Sequence, residues 1–301
     1  MKIDSKLANA IQNGDFIITA EYLPIAGTNN SIVENAAMSL SKSALAINVS
    51  DNHYGIAMSS LVASCVMLKA GVEPVYQIVT RDRNRIAIQS DLLGAAYLGI
   101  KNVLCLSGYH QTLAGSPESA NVYDIDSIQL VATVRTMRDE GVLLDGTKIE
   151  GEFSMLIGAV ANPYLTPLEL NIIRLNKKVE AGADFIQTQA VFDIEAFSRW
   201  LDAAVGEGIT EKTAILAGIM PLQSAAEAEK LRDTYTDMYI SDELIERLKA
   251  AGGEDAQKKE GLAICAEIIS KIKNINGVRG IHILSGGKEG VVSELLAASG
   301  L

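Results

Sequence analysis

The stretch TPLELNIIRLNKKVEAGADFIQT, residues 166–188, holds one full unit of the pattern on which the fold rests. Thr166 followed by Pro167 reads as a helix opening, with Thr166 as the N-cap. Apolar residues then recur at helical spacing until Gly182 stops the run. The next segment, 185–188, is short and extended in character. The same alternation continues in both directions. Strands are expected at 16–21, 44–49, 75–80, 103–106, 155–160, 185–188, 214–219 and 280–284. Each is read as apolar on both faces, the mark of a buried parallel strand. Helices are expected at 58–70, 86–98, 125–138, 167–181, 193–205, 225–231, 242–251, 257–272 and 289–298. Strand and helix alternating through 301 residues predict an α/β chain folded as one (β/α)8 barrel, residues 1–301, with an extra helix inserted around 231–254. A doubly wound sheet is the alternative, but no GxGxxG follows the first strand.

Composition narrows the class of partner. The net charge is -11 and the sequence offers no basic stripe, which argues against nucleic acid. No apolar run is long enough for a membrane span, and the first residues lack a signal-peptide core, so a soluble cytoplasmic protein is expected. Cys65, Cys105 and Cys265 are too scattered for a disulfide framework or a zinc site and are read as buried thiols.

Barrels of this kind carry their chemistry at the C-terminal ends of the strands. That rule selects Glu21 after strand one, then Ser50, Asp51, Asn52 and His53 after strand two. It adds Thr80, Arg81 and Asp82 at strand three and Ser107, Gly108, Tyr109 and His110 at strand four. Asn162 and Pro163 follow strand five, Gln189 follows strand six, Pro221 follows strand seven, and Ser285, Gly286 and Gly287 follow strand eight. Glu21 ends the apolar run FIITAEY, so its carboxyl is expected in the barrel mouth with a raised pKa, able to act as a general acid. The TRDRNR segment, 80–85, reads as a salt-bridged, solvated helix start, and SGGKEG, 285–290, as a turn that packs or holds a phosphate. His282, inside strand eight, reads as a hydrogen-bonded core residue, and no metal site is expected.

Several segments carry a family resemblance: ITAEYLP, INVSDN, VTRDRNR, LGIKNVLCLSG, VYDIDSIQL, KKVEAGADFIQTQAVFD, GIMPL and GVRGIHI, in that order along nearly the whole chain. Together they resemble the methylenetetrahydrofolate reductase family, in particular its short bacterial branch. The resemblance implies a flavin (FAD or FMN) at the barrel mouth and tetrahydrofolate as substrate. Glu21 matches the catalytic acid and Gln189 a folate-contacting glutamine, with Tyr109, Asp51 and Asn52 on the substrate side. Ser50, Gln77, Ser107, Gly108, Tyr123, Asn162 and Lys178 fall at flavin-site positions, Lys178 near the phosphates. The departures are informative. Tyr109 stands where the family usually has aspartate, Gln77 where it has histidine, Ser50 and Val79 where threonine is common, and Ser107 where some members have arginine. Glu227 and Leu231 take the places of a glutamine and a phenylalanine that grip folate and nicotinamide. Two functions follow. One is a flavin-dependent oxidoreductase interconverting methylene- and methyltetrahydrofolate, supplied with electrons by a partner subunit. The other is a flavin-free methyltransferase-type protein working with a corrinoid partner. Either is expected to work as a homo- or hetero-oligomer.

Overall fold

The computed structural model describes residues 3–113, 115–235 and 238–301. Its eight strands are β1 (Ile17–Tyr22), β2 (Ala46–Val49), β3 (Pro74–Val79), β4 (Asn102–Leu106), β5 (Leu156–Ala161), β6 (Phe185–Ala190), β7 (Ala214–Ile219) and β8 (Val278–Ile283). They close in sequence order into one barrel. Every neighbouring pair is parallel, including β1 with β8. The helices are α1 (Lys6–Asn13), α2 (Asn30–Leu40), α3 (Ser60–Lys69), α4 (Arg85–Tyr97), α5 (Ser127–Asp139), α6 (Leu168–Ala181), α7 (Ile194–Gly206), α8 (Ala225–Thr234), α9 (Asp242–Ala250), α10 (Glu254–Ile272) and α11 (Gly290–Ser299). The barrel expected from the alternation is therefore the observed fold, with α9 as the additional helix between β7 and β8.

Two helices escape the sequence pattern. α2 connects β1 to β2 behind an Asn29 cap. α1 precedes the barrel and closes its floor. Ser5 caps α1 by accepting the Ala8 N–H, and the Glu73 carboxylate accepts the N–H groups of Lys6 and Leu7. Leu7 and Ala8 then pack on Ile17, Val75, Leu104 and Phe185 inside the barrel. The opening of α6 also differs. Pro167, not Thr166, holds the N-cap position, and it caps without a side-chain hydrogen bond.

The inner face departs from the expectation of strands apolar on both sides. Because side chains alternate with a period of two, each strand sends every second residue inward. The lowest layer is apolar and the next is not. Thr19, Asn48, Gln187 and His282 are buried together. The Asn48 amide donates to Gln187 Oε1 at 2.7 Å, Gln187 Nε2 donates to Asn48 Oδ1 at 3.1 Å and to Thr19 Oγ1 at 3.2 Å, and Thr19 Oγ1 lies 2.9 Å from His282 Nδ1. With these partners the polar layer meets the hydrogen-bonding requirement of a buried site.

Gly158 on β5 shows how tightly the lower layer is filled. A Cβ built there would lie 2.2 Å from the Phe185 ring, which crosses the barrel over it. Gly158→Ala is therefore expected to destabilise the fold by about 1–3 kcal/mol through overpacking. Adding Phe185→Leu should recover part of that loss in urea unfolding. A Gly158→Ala protein as stable as the parent would contradict this packing.

Candidate active site at the barrel mouth

A cavity of about 400 Å³ opens above the polar layer, walled by Glu21, Gln77, Tyr109, Lys178, Gln189 and His282 among others. A second space of about 440 Å³ adjoins it, sharing Tyr54, Met220, Tyr235 and Leu284. A side pocket of about 170 Å³ lies on the β1 and β2 loops, against Ser50, Asn52 and His53.

Glu21 sits at the cavity floor. It lies one residue inside β1, since Tyr22 ends the strand, and it is only 6% exposed. Burial pushes its carboxyl up to about 7, against the smaller opposing effects of the Ser50 hydroxyl and the Gly286 backbone N–H. The Ser50 hydroxyl lies 3.2 Å from Glu21 Oε1 and 3.2 Å from Gln77 Oε1. The SGGKEG turn serves this carboxyl. Besides the Gly286 N–H, Ser285 Oγ donates to the Glu21 carbonyl at 3.0 Å. Lys288 of the same turn pairs with Glu227 at 3.1 Å. His282, read as a core residue, is buried and bonded to Thr19 as expected, and burial lowers its pKa to about 3, so it is neutral. His53 is likewise held neutral, by burial and then by Arg81, with its pKa near 4.

The TRDRNR segment is not the solvated helix start that its charges suggest. Arg81 is 2% exposed. Its guanidinium grips Asp82 with two 2.8 Å bonds and donates to the carbonyls of Tyr109 at 3.1 Å and Asn52 at 3.0 Å, tying the loops after β2, β3 and β4 together. Asp51 is buried, taking Arg83 Nη1 at 2.6 Å, Arg83 Nη2 at 3.2 Å and the Val79 N–H at 3.0 Å. Only Arg85 fits the expectation, in an exposed pair with Asp124. Asp51 thus lines the cavity with both oxygens already engaged.

Across the mouth, Gln189 lies within β6 rather than after it, and its Nε2 donates to the Tyr109 hydroxyl at 3.3 Å. The Tyr109 ring stands 5.1 Å from Tyr235 and 5.8 Å, edge-on, from His53. Ser107 and Gly108 share the wall. Gly108 has φ +82°, and a Cβ there would press on Arg81 and Val79 at 3.2–3.3 Å, so glycine suits it. At the far side Lys178 is half-buried, and its ammonium donates to the Val160 carbonyl at 2.5 Å. Burial, then the nearby Arg174, lower its pKa to about 8.

Four expected site residues stand back from the main cavity, among them Ser50, which lines the side pocket beneath its bond to Glu21. Asn52, at φ +48°, accepts the Ala57 N–H and faces the side pocket. Tyr123 donates to the Gly108 carbonyl at 3.2 Å from behind that wall. Asn162 shapes its own turn, its Oδ1 accepting the Tyr164 N–H and its carbonyl the Asn171 amide. The sequence reading missed Tyr54, Arg174 and Tyr235 in the walls, and Thr19, Asn48 and Gln187 beneath. The last three were within reach, since each lies two residues before a selected one, Glu21, Ser50 and Gln189, on the same inward row. Cys65 is half-buried rather than buried. Among the described residues, no group of three or more His, Cys, Asp or Glu side chains gathers to hold a metal, and no helix is long and apolar enough to cross a membrane.

The raised pKa of Glu21 has a cost in stability. The folded carboxyl keeps its proton to about 7, while the unfolded one releases it near 4.5, so the native state binds more protons between these values and loses stability as pH rises through them. Glu21→Gln removes the charge. It should match the parent below that window and exceed it above by on the order of 3 kcal/mol. Urea unfolding on both sides of the window checks this, and a difference independent of pH would contradict it.

Comparisons with known proteins give the family. The family model for methylenetetrahydrofolate reductase matches residues 6–300. A probable methylenetetrahydrofolate reductase (NADPH) of Caenorhabditis elegans is 24% identical over 251 residues, 82% of this chain and 35% of the worm protein. The 5,10-methylenetetrahydrofolate reductase of Pectobacterium carotovorum is 23% identical over 217 residues, 71% of this chain and 65% of that protein. The chain thus spans from about a third to just under two thirds of the length of these curated relatives. Among solved structures, an uncharacterized protein from Clostridium thermocellum that binds two copies of 5-methyl-5,6,7,8-tetrahydrofolic acid superimposes with a TM-score of 0.66. It has 15% identity and covers 98% of both chains, a likeness of fold. By the family model, which spans nearly the whole chain, this chain belongs to the methylenetetrahydrofolate reductase family.

Proposed function

We propose that this chain acts on the one-carbon unit of reduced folates, interconverting methylene- and methyltetrahydrofolate through a flavin, with Glu21 as the proton donor. The observation that carries the reading is Glu21 itself, a carboxyl buried at the floor of a large cavity that keeps its proton near neutral pH. A proton held on a carboxyl oxygen can be given to a folate nitrogen as the methylene bridge opens, and the matched pKa is what general acid catalysis requires. Gln189 offers both donor and acceptor to the pterin edge. The walls around Glu21 keep water from competing for the proton.

The residues at the far side suit a flavin. Lys178 and Arg174 line the cavity beside Ser127. No carboxylate among the described residues pairs with the Lys178 ammonium, whose hydrogen bond is to a carbonyl. A phosphate would neutralise that half-buried cation. Gly108 lets the β4 loop approach a planar ring closely, with Tyr123 bracing its carbonyl. When bound, a flavin supplies hydride exchange. Leu231, in place of an aromatic that would stack on nicotinamide, fits electron delivery by a partner subunit instead of NAD(P)H.

One observation favours the second reading, flavin-free methyl transfer between tetrahydrofolate and a corrinoid partner. Tyr109, at the position where the family usually has aspartate, reaches from the β4 loop to Gln189 on β6 and puts a neutral ring beside Tyr235 at the mouth. The methyltetrahydrofolate bound by the C. thermocellum protein supports a folate ligand under either reading. The visible spectrum of the purified protein separates the two, because flavin absorbance supports the first and its absence the second. In the activity that is found, Glu21→Gln should lower turnover by about 10²–10⁴. Turnover at the parent rate would remove Glu21 from the mechanism.

A further inference from the structure

The Ser50 hydroxyl has one proton and two acceptors. Glu21 Oε1 and Gln77 Oε1 each lie 3.2 Å from it, and all three side chains are buried. One proton cannot serve both oxygens at once, and an acceptor left unserved in a buried site is costly. Which oxygen receives it depends on the charge of Glu21. When Glu21 is ionised, the carboxylate is the stronger acceptor and draws the hydroxyl, leaving Gln77 unserved. When Glu21 is protonated, the hydroxyl turns to Gln77 and its lone pairs face the carboxyl.

We infer that Ser50 and Gln77 form a two-position hydrogen-bond switch that sets the proton affinity of Glu21, Ser50 favouring the ionised form and Gln77 the protonated one. Both are positioning residues that act through Glu21. The inference rests on the reading of Glu21 as an acid and adds the device that charges it. Each time Glu21 gives up its proton, the hydroxyl turns to the carboxylate and steadies it. Each time a proton returns, the Gln77 amide takes the hydroxyl back.

The other groups around Glu21 are already committed. From the β2 end, Asp51 is bound by Arg83, and the burial-raised Tyr54 phenol stays neutral. His53 on that loop and His282 on β8 are neutral. From β3, Arg81 is bound by Asp82. From α6, Lys178 is turned to the Val160 carbonyl with Arg174 near it. From the β7 side, Glu227 is bound by Lys288. Among the described residues, the Gly286 N–H is the one further group that steadies the carboxylate directly. The contest for the Ser50 proton is thus the adjustable part of the surroundings.

The two halves of the switch predict opposite signs. Infrared titration of the substrate-free protein follows the protonated carboxyl stretch, and Glu21→Gln identifies the band that belongs to Glu21. The parent should titrate near 7. Ser50→Ala removes the donor that steadies the carboxylate and should raise the proton affinity about tenfold. Gln77→Met keeps the bulk, removes the acceptor that competes for the hydroxyl, and should lower the affinity about tenfold. Ser50→Thr keeps a hydroxyl and should restore the parent midpoint. Gln77→Val serves as a second acceptorless variant should Gln77→Met not fold. Shifts of the same sign for Ser50→Ala and the Gln77 variants, or no shift at Gln77, would overturn the switch. Because no substrate is present, that outcome leaves the folate reading standing, and an unaffected Glu21→Gln turnover would sink that reading while leaving the switch.

Discussion

A carboxyl deprived of water, with a hydroxyl and a peptide N–H to steady its charge, is the constraint around which this barrel mouth is arranged. Desolvation raises the pKa of Glu21 to about 7, against the smaller lowering by the Ser50 hydroxyl and the Gly286 N–H. Asp51, which lines the same cavity, is held by Arg83, and Asp82 is held by Arg81. The two histidines of the cavity wall are kept neutral. Beneath, the polar layer of Thr19, Asn48, Gln187 and His282 is satisfied within itself, so it presents a firm floor without taking the hydroxyl that Glu21 needs. Closing the barrel bottom with α1 keeps that layer from solvent.

Much of the fold was legible because a parallel barrel writes itself as short apolar segments between helices. The strands stand within one or two residues of the expected positions, and the residues at their ends converge on one cavity, as the C-terminal rule requires. The failures have physical causes. α1 is amphipathic but only eight residues long, and what its apolar face covers is visible only in the barrel floor, while nothing in its length or apolar content sets α2 apart from the helices that were recognised. The polar inner layer was hidden because Thr19, Asn48 and Gln187 sit among apolar neighbours that face outward, so a run such as AINV reads as uniformly buried.

The charged loop after β3 teaches a different lesson. Four charges within TRDRNR look like a solvated surface, and composition alone cannot tell a surface pair from a buried one. Arg81 is buried and Arg83 half-buried because the carbonyls and carboxylates of three neighbouring loops converge on them, a fact of three dimensions. Tyr109 shows the opposite case. Its departure from aspartate was visible in sequence, and its ring lies in the mouth against Tyr235 and Gln189, where a change of charge bears on any ligand bound there.

The central claim is that a reduced folate binds over Glu21 and takes its proton environment with it. Calorimetric titration of (6S)-5-methyltetrahydrofolate into the protein tests it directly, at a pH about one unit above the Glu21 pKa, in two buffers of different ionisation enthalpy. There Glu21 is mostly ionised, and a ligand that covers it removes the remaining water and raises its proton affinity further. The account predicts binding accompanied by net proton uptake, absent in Glu21→Gln. No binding, or binding with the same proton uptake in both proteins, would contradict it.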